Sequence, residues 1–192
     1  MMNKMKNFRL SVFGLIVLAA IMVAGCKGKE KLPKGEEEVN VPCSGSDYFT
    51  NKTHFRSNSL GESMDQVTSK RRALTNARAE LAASISTLVK TVTDNYVISR
   101  EFNNKEEVEE RFESLNREIV DQKISGVRTI CEKQVKTSSG NYKTYIALEL
   151  SADELVSAYN ERLSKDERLR IDYDYEKFKE TFDKEMEKMG NR

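Results

Sequence analysis

Residues 62–98 read ESMDQVTSKRRALTNARAELAASISTLVKTVTDNYVI, and no glycine or proline interrupts them. Val67, Leu74, Leu81 and Leu88 recur every seven residues, and Ala77, Ile85, Val92 and Tyr96 fall on the same face. Apolar residues at that period predict one long amphipathic helix, from about Met64 to Tyr96. Ser63 or Asp65 is placed to cap it. Ala73, Ala77, Ala79, Ala82 and Ala83 keep one side of the helix small, so another element can pack very close to it.

The flanks supply the remaining elements. HFRSNSLGES, His54 to Ser63, reads as a strand that closes at Gly61. Asn104 stands before Lys105-Glu106-Glu107, an N-cap with an acid at the third helical position. Val108, Phe112, Leu115 and Ile119 then make a helical stripe. Residues 127–136 and 142–150 read as strands. Ser138-Ser139-Gly140-Asn141 supplies the turn, so the pair is expected to be a hairpin. Tyr142, Thr144, Ile146, Leu148 and Leu150 share one face of the second strand. Val127, Thr129, Cys131 and Val135 share one face of the first, which would turn Cys131 inward if that face is the core.

Ser151-Ala152-Asp153-Glu154 is a capping box that opens a helix carrying Leu155, Val156, Tyr159 and Leu163. Ser164-Lys165-Asp166-Glu167 repeats the signal and is expected to open the last helix. That helix presents a stripe of Ile171, Tyr175, Phe178, Phe182 and Met186, which either docks on the domain or forms a face for a partner chain. The expected fold is α+β: a small antiparallel sheet on a long alanine-rich helix, with C-terminal helices appended. The domain is expected over 43–150 and the appended helices over 151–192.

The first 25 residues read as a signal peptide and are set apart from the expected fold. Lys4, Lys6 and Arg9 precede an apolar run, Leu10 to Val23, of signal-peptide length. Val23-Ala24-Gly25-Cys26 follows and looks like the lipobox of bacterial lipoproteins. Cys26 is therefore the expected site of lipid attachment, with cleavage before it. One acyl chain holds a protein only reversibly, whereas two or three on one cysteine anchor it firmly. Lys27 follows the cysteine, where an aspartate would resemble an inner-membrane retention signal, so the outer membrane is the expected destination, facing the periplasm or the cell surface. Residues 27–42, with both prolines of the chain, form a tether that reaches about 55 Å when fully extended.

Charge narrows the partners. Of 32 lysines and arginines the first 25 residues hold three, and they hold none of the 31 acids, so the remainder is slightly acidic. That argues against nucleic acid as a partner. With Cys26 assigned to lipid, Cys43 and Cys131 are left, as a candidate disulfide in an oxidising envelope or as two free thiols.

Catalytic signatures are missing. His54 is the single histidine. No CxxC, HxxxH, EF-hand loop or phosphate-binding glycine loop occurs, so neither a metal nor a cofactor is expected. Glu106-Glu107 and Glu109-Glu110 read as a solvated helix face. The expectation is a non-enzymatic envelope lipoprotein that binds another envelope or surface component through the C-terminal stripe or an exposed sheet edge. The alternatives are a carrier with an apolar pocket, or an envelope hydrolase using dispersed acids.

Pro42-Cys43-Ser44-Gly45, FRSNSLGES and RRALTNARAELAASI together resemble a twenty-kilodalton lipoprotein family of bacterial envelopes, itself similar to the N-terminal domain of a flagellar T-ring protein. The A-x-x-x-A-R-x-x-L-A run carries most of the resemblance, through Ala73, Ala77, Arg78, Leu81 and Ala82. It covers about residues 41–150. The resemblance implies a lipid-anchored α+β domain with no enzymatic chemistry and no set of functional residues. Some relatives are linked to surface structures, motility or adhesion.

Overall fold

The computed structural model describes residues 33–37, 39–99, 105–167, 169 and 173–191. The chain divides into two compact units, 1–40 and 41–192. Of the first, the described part is an exposed stretch with a turn in which the Glu36 N–H donates to the Pro33 carbonyl.

The second unit runs β1 (His54–Ser63), α1 (Gln66–Ile98), α2 (Lys105–Ser125), β2 (Arg128–Lys136), β3 (Tyr142–Ser151), α3 (Ala152–Leu163) and α4 (Tyr175–Gly190). The sheet is antiparallel with β3 in the centre, β1 on one side and β2 on the other. It packs against α1, so the fold is α+β as expected. Asp65 caps α1 by accepting from the Thr68 N–H at 2.7 Å. The expected Asn104 cap falls outside the described residues.

Along α1 the buried line is Ala73, Ala77, Leu81, Ile85, Leu88, Val92 and Tyr96. Val67, the first residue of the expected heptad, is instead 64% exposed. Seven residues of a straight helix turn about 20° short of two full turns, so the buried line drifts away from a strict seven-residue repeat. Ala79 and Ala83 are exposed as well, so the close packing falls to Ala73 and Ala77, with Ala82 partly buried against the core.

That packing is intimate at β1. A Cβ on Gly61 would come within 2.5 Å of the Ala73 nitrogen. Three buried hydroxyls lock the layer. Ser57 Oγ donates to the Ala77 carbonyl at 2.7 Å. Ser69 Oγ donates to the Gly61 carbonyl at 2.9 Å and lies 2.8 Å from Thr144 Oγ1. Buried polar groups need such partners, since an unpaired one costs about 1–3 kcal/mol.

The strand β2 departs from simple alternation. Thr129 pairs with Leu148 and Cys131 with Ala147, which leaves Ile130 as an inserted residue. This bulge moves Cys131 to the face that points away from α1. Thr129 and Cys131 therefore do not share a face, and Cys131 does not point into the core. Its partner is Cys43: the two form a disulfide with Cα atoms 5.5 Å apart. The segment before β1 is thereby fastened to the sheet. Thr50 adds two bonds to Arg56, its hydroxyl accepting from the nitrogen at 2.9 Å and donating to the carbonyl at 3.1 Å.

The C-terminal helices close the core. Ser151 caps α3, accepting from the Glu154 N–H at 3.5 Å. The last helix starts later than expected. Ser164 ends α3, and Asp166 accepts from Arg111 Nε at 2.6 Å and from the Leu169 N–H at 3.2 Å. With its carboxylate held by α2, Asp166 closes a turn rather than opening a helix. Asp174 provides the actual N-cap, accepting from the Lys177 N–H at 3.1 Å. Phe178 meets Tyr96 of α1, Phe112 of α2 and Tyr159 of α3 at ring separations of 5.7, 6.4 and 5.8 Å. Phe182 meets Phe55 of β1 at 6.3 Å. The boundary expected at residue 150 is therefore not a packing boundary, because α3 and α4 share one core with the sheet and α1.

Candidate functional site

The expected partner face is corrected by this packing. Phe178, Phe182 and Met186 are buried in the domain's own core and present nothing to a partner. Burying a Phe side chain contributes about 1.5–3 kcal/mol, which the exposed alternative would forgo. Tyr175 is half-buried and packs against the same core. Ile171 lies outside the described residues, as does Cys26. The pair Cys43 and Cys131 is consumed by the disulfide, so neither thiol is available for nucleophilic chemistry.

Two surface features take shape only in the structure. The first surrounds Glu149, on the outer face of β3 and 5% exposed. Arg56, opposite it on β1, donates from Nε at 2.7 Å and from its terminal nitrogen at 2.6 Å. Arg128, opposite it on β2, donates to the other carboxylate oxygen. His54 Nε2 lies 3.8 Å from that oxygen. Burial alone would push the Glu149 carboxyl up, but the bonds from Arg128 and Arg56 and the neighbouring His54 outweigh it and hold the group below its ordinary value. A shallow cleft of about 330 Å³ opens here, lined by His54, Arg128, Glu149 and Glu154. Both carboxylate oxygens are occupied by arginine, so Glu149 is a cross-strand clamp rather than a general base.

The second feature is a groove of about 510 Å³ between α1 and α2. The α2 side carries Glu106, Glu109, Glu110 and Glu113. Spacings of three and four place them on one helical stripe. Lys90, Thr93 and Asp94 line the α1 side, with Phe112 at the base. Among the described side chains the one ion pair made by this stripe is Glu113 with Arg117, at 3.9 Å and exposed. The spacing was visible in the sequence. What the sequence did not show is that α1 lies alongside and turns a solvated face into a groove.

Among the described residues no group of His, Cys, Asp or Glu is arranged to hold a metal ion. No described helix is long and apolar enough to cross a membrane. No family model, curated protein or solved structure matches this chain.

Proposed function

We propose that this chain is a bacterial envelope lipoprotein, anchored to the outer membrane by acyl chains on Cys26, that works without catalysis by binding another envelope or surface component. One observation carries the reading. The Cys43–Cys131 disulfide suits an oxidising compartment, and it lies downstream of an apolar run that ends in Val-Ala-Gly-Cys. Export and a stable disulfide belong together, since cytosolic thiols are kept reduced. The resemblance to the twenty-kilodalton lipoprotein family belongs to the same proposal, supported by an α+β domain in which a long helix precedes a hairpin. The binding role draws support from the described clefts, which are shallow and bordered largely by charged side chains.

The test is the intact mass of the unreduced protein extracted from membranes in detergent. A chain that begins at Cys26 and carries acyl mass is expected, followed by capture of an envelope partner on cross-linking in cells. A full-length chain without acyl mass would overturn the anchor.

A further inference from the structure

The fold treats the two edges of its sheet differently. On β1 the outward backbone groups are met by this chain itself. The Asn51 N–H donates to the His54 carbonyl at 3.0 Å, and Asn51 Oδ1 accepts from the His54 N–H at 2.9 Å. Thr50 meets both groups of Arg56. Arg72 donates to the Glu62 carbonyl at 2.7 Å and Asn76 to the Leu60 carbonyl at 3.4 Å. Asn58 is the one gap among the described contacts. An edge closed in this way offers little template to another strand.

The same alternation places the groups of β2. Arg56, Leu60 and Glu62 turn theirs away from β3, so Glu149, Tyr145 and Lys143 opposite them turn theirs toward β2. Arg128, Lys133 and Val135 face those three residues and take up their bonds. Glu132, Gln134 and Lys136 therefore point their N–H and C=O groups to the open side. No hydrogen bond from a described residue reaches these groups. No residue of β2 is buried, and Val135 is 43% exposed.

The bare stretch carries a charge pattern that complements itself. The bulge ends the regular part of β2 at Cys131, which leaves Glu132 to Lys136 free to pair. A second copy can lie antiparallel to it, related by a twofold axis at Gln134. Gln134 then faces Gln134, and Glu132 of each copy faces Lys136 of the other. Each of these facing pairs exchanges two backbone hydrogen bonds. On the other face Lys133 lays its aliphatic stem over the exposed Val135 of the second copy. An axis at Glu132 or at Lys133 would set like charges directly opposite, which is unfavourable. An axis at Val135 or at Lys136 would leave Glu132 opposite Ser138 or Gly140 of the hairpin turn, with no cation. Lysines on an edge ordinarily deter pairing. Here Glu132 readmits one strand, a copy of β2 running the opposite way.

We propose that β2 is a self-association edge, through which two copies of the domain join about Gln134 into one continuous antiparallel sheet. A pairing from Glu132 to Lys136 buries well under the about 1,600 Å² of a standard interface, so the dimer is expected to be reversible. The inference goes beyond the envelope role proposed above and does not depend on the acyl anchor.

The experiment uses the full chain in a neutral detergent, as an equal mixture of ¹⁴N and ¹⁵N copies. The probe is a water-soluble carbodiimide, which joins a carboxylate to a neighbouring amine with loss of water. Glu132 and Lys70 of one copy, 2.9 Å apart, are the internal control. A peptide pair joining Glu132 to Lys136 and carrying both labels is expected, together with a sedimentation coefficient that rises with concentration. Glu132→Lys should weaken association about tenfold or more, because it sets lysine against lysine twice. Adding Lys136→Glu should restore it. Gln134→Pro removes an outward N–H, a change that an edge strand tolerates, so it should abolish association and leave the unfolding temperature nearly unchanged. A monomer at every concentration, association that survives Glu132→Lys, or a folded double swap that stays monomeric would overturn the proposal. So would a link in cells from Glu132 to a different envelope protein in place of the second copy. None of these results bears on the acyl mass at Cys26, so the two readings fail separately.

Discussion

Gly61 of β1 and Ala73 of α1 lie in backbone contact, with room for a hydrogen at Gly61 and no room for a methyl group. The layer spacing of the domain depends on this pair, because Ser69 and Thr144 bond across it.

Gly61→Ala is therefore expected to destabilise the fold by about 3 kcal/mol, the upper range for overpacking against a backbone that cannot yield. Urea unfolding followed by far-ultraviolet circular dichroism measures it. A loss below about 0.5 kcal/mol would show that β1 slides away from α1 without penalty.

Phe182→Ala should cost about 3–5 kcal/mol, as befits a large residue removed from a core. A partner-facing residue would give almost no change, since surface substitutions fall within about 0.5 kcal/mol. The same unfolding assay decides between the two roles.

Glu149 makes the acid limb of stability predictable. Its folded carboxyl is held below the ordinary value, so its contribution is present above the unfolded value and is lost as pH falls through the folded one. Glu149→Gln should lower stability at pH 7 by about 1.5–3 kcal/mol, the range for hydrogen bonds to a charged group. The gap between variant and parent should narrow as the pH drops below the carboxylate range. A gap that stays constant down to pH 2 would contradict the clamp.

Replacing Cys43 and Cys131 together by serine should lower stability by about 2–4 kcal/mol. The bridge joins residues 88 apart in sequence, so it removes much freedom from the unfolded chain. Thermal unfolding of parent and variant, with and without reductant, is the check: reductant should lower the parent to the variant and leave the variant unchanged.

Local signals were legible in the sequence and long-range pairings were not. A strand opening at His54, the cap at Ser151 and the hairpin turn all follow from nearest-neighbour chemistry, and the structure has them, with the strand running two residues past Gly61 to Ser63. The inserted Ile130 left no mark in the strand pattern, because RTICEKQVK alternates poorly on either reading. Ser164-Lys165-Asp166-Glu167 looked like a second capping box, but Ser164 ends α3, and Asp166 is tied to Arg111, 55 residues away. Phe178, Phe182 and Met186 could have faced inward or outward, since an amphipathic stripe does not say what covers it. The burial of Glu149 left no trace in its strand, because it depends on Arg56 and Arg128 arriving from both neighbours.

The disulfide also decides how this domain carries tension. A pull applied between the segment ahead of Cys43 and the C-terminus passes from Cys43 directly to Cys131 and on through β3, α3 and α4. The chain between the two cysteines, which holds β1, α1 and α2, forms a closed loop that bears no load along its length. Stretching the oxidised protein can therefore peel away the C-terminal helices and the hairpin, but cannot draw the long alanine-rich helix out end to end. The element that organises the fold is mechanically sheltered by the bridge that the bulge in β2 turns outward.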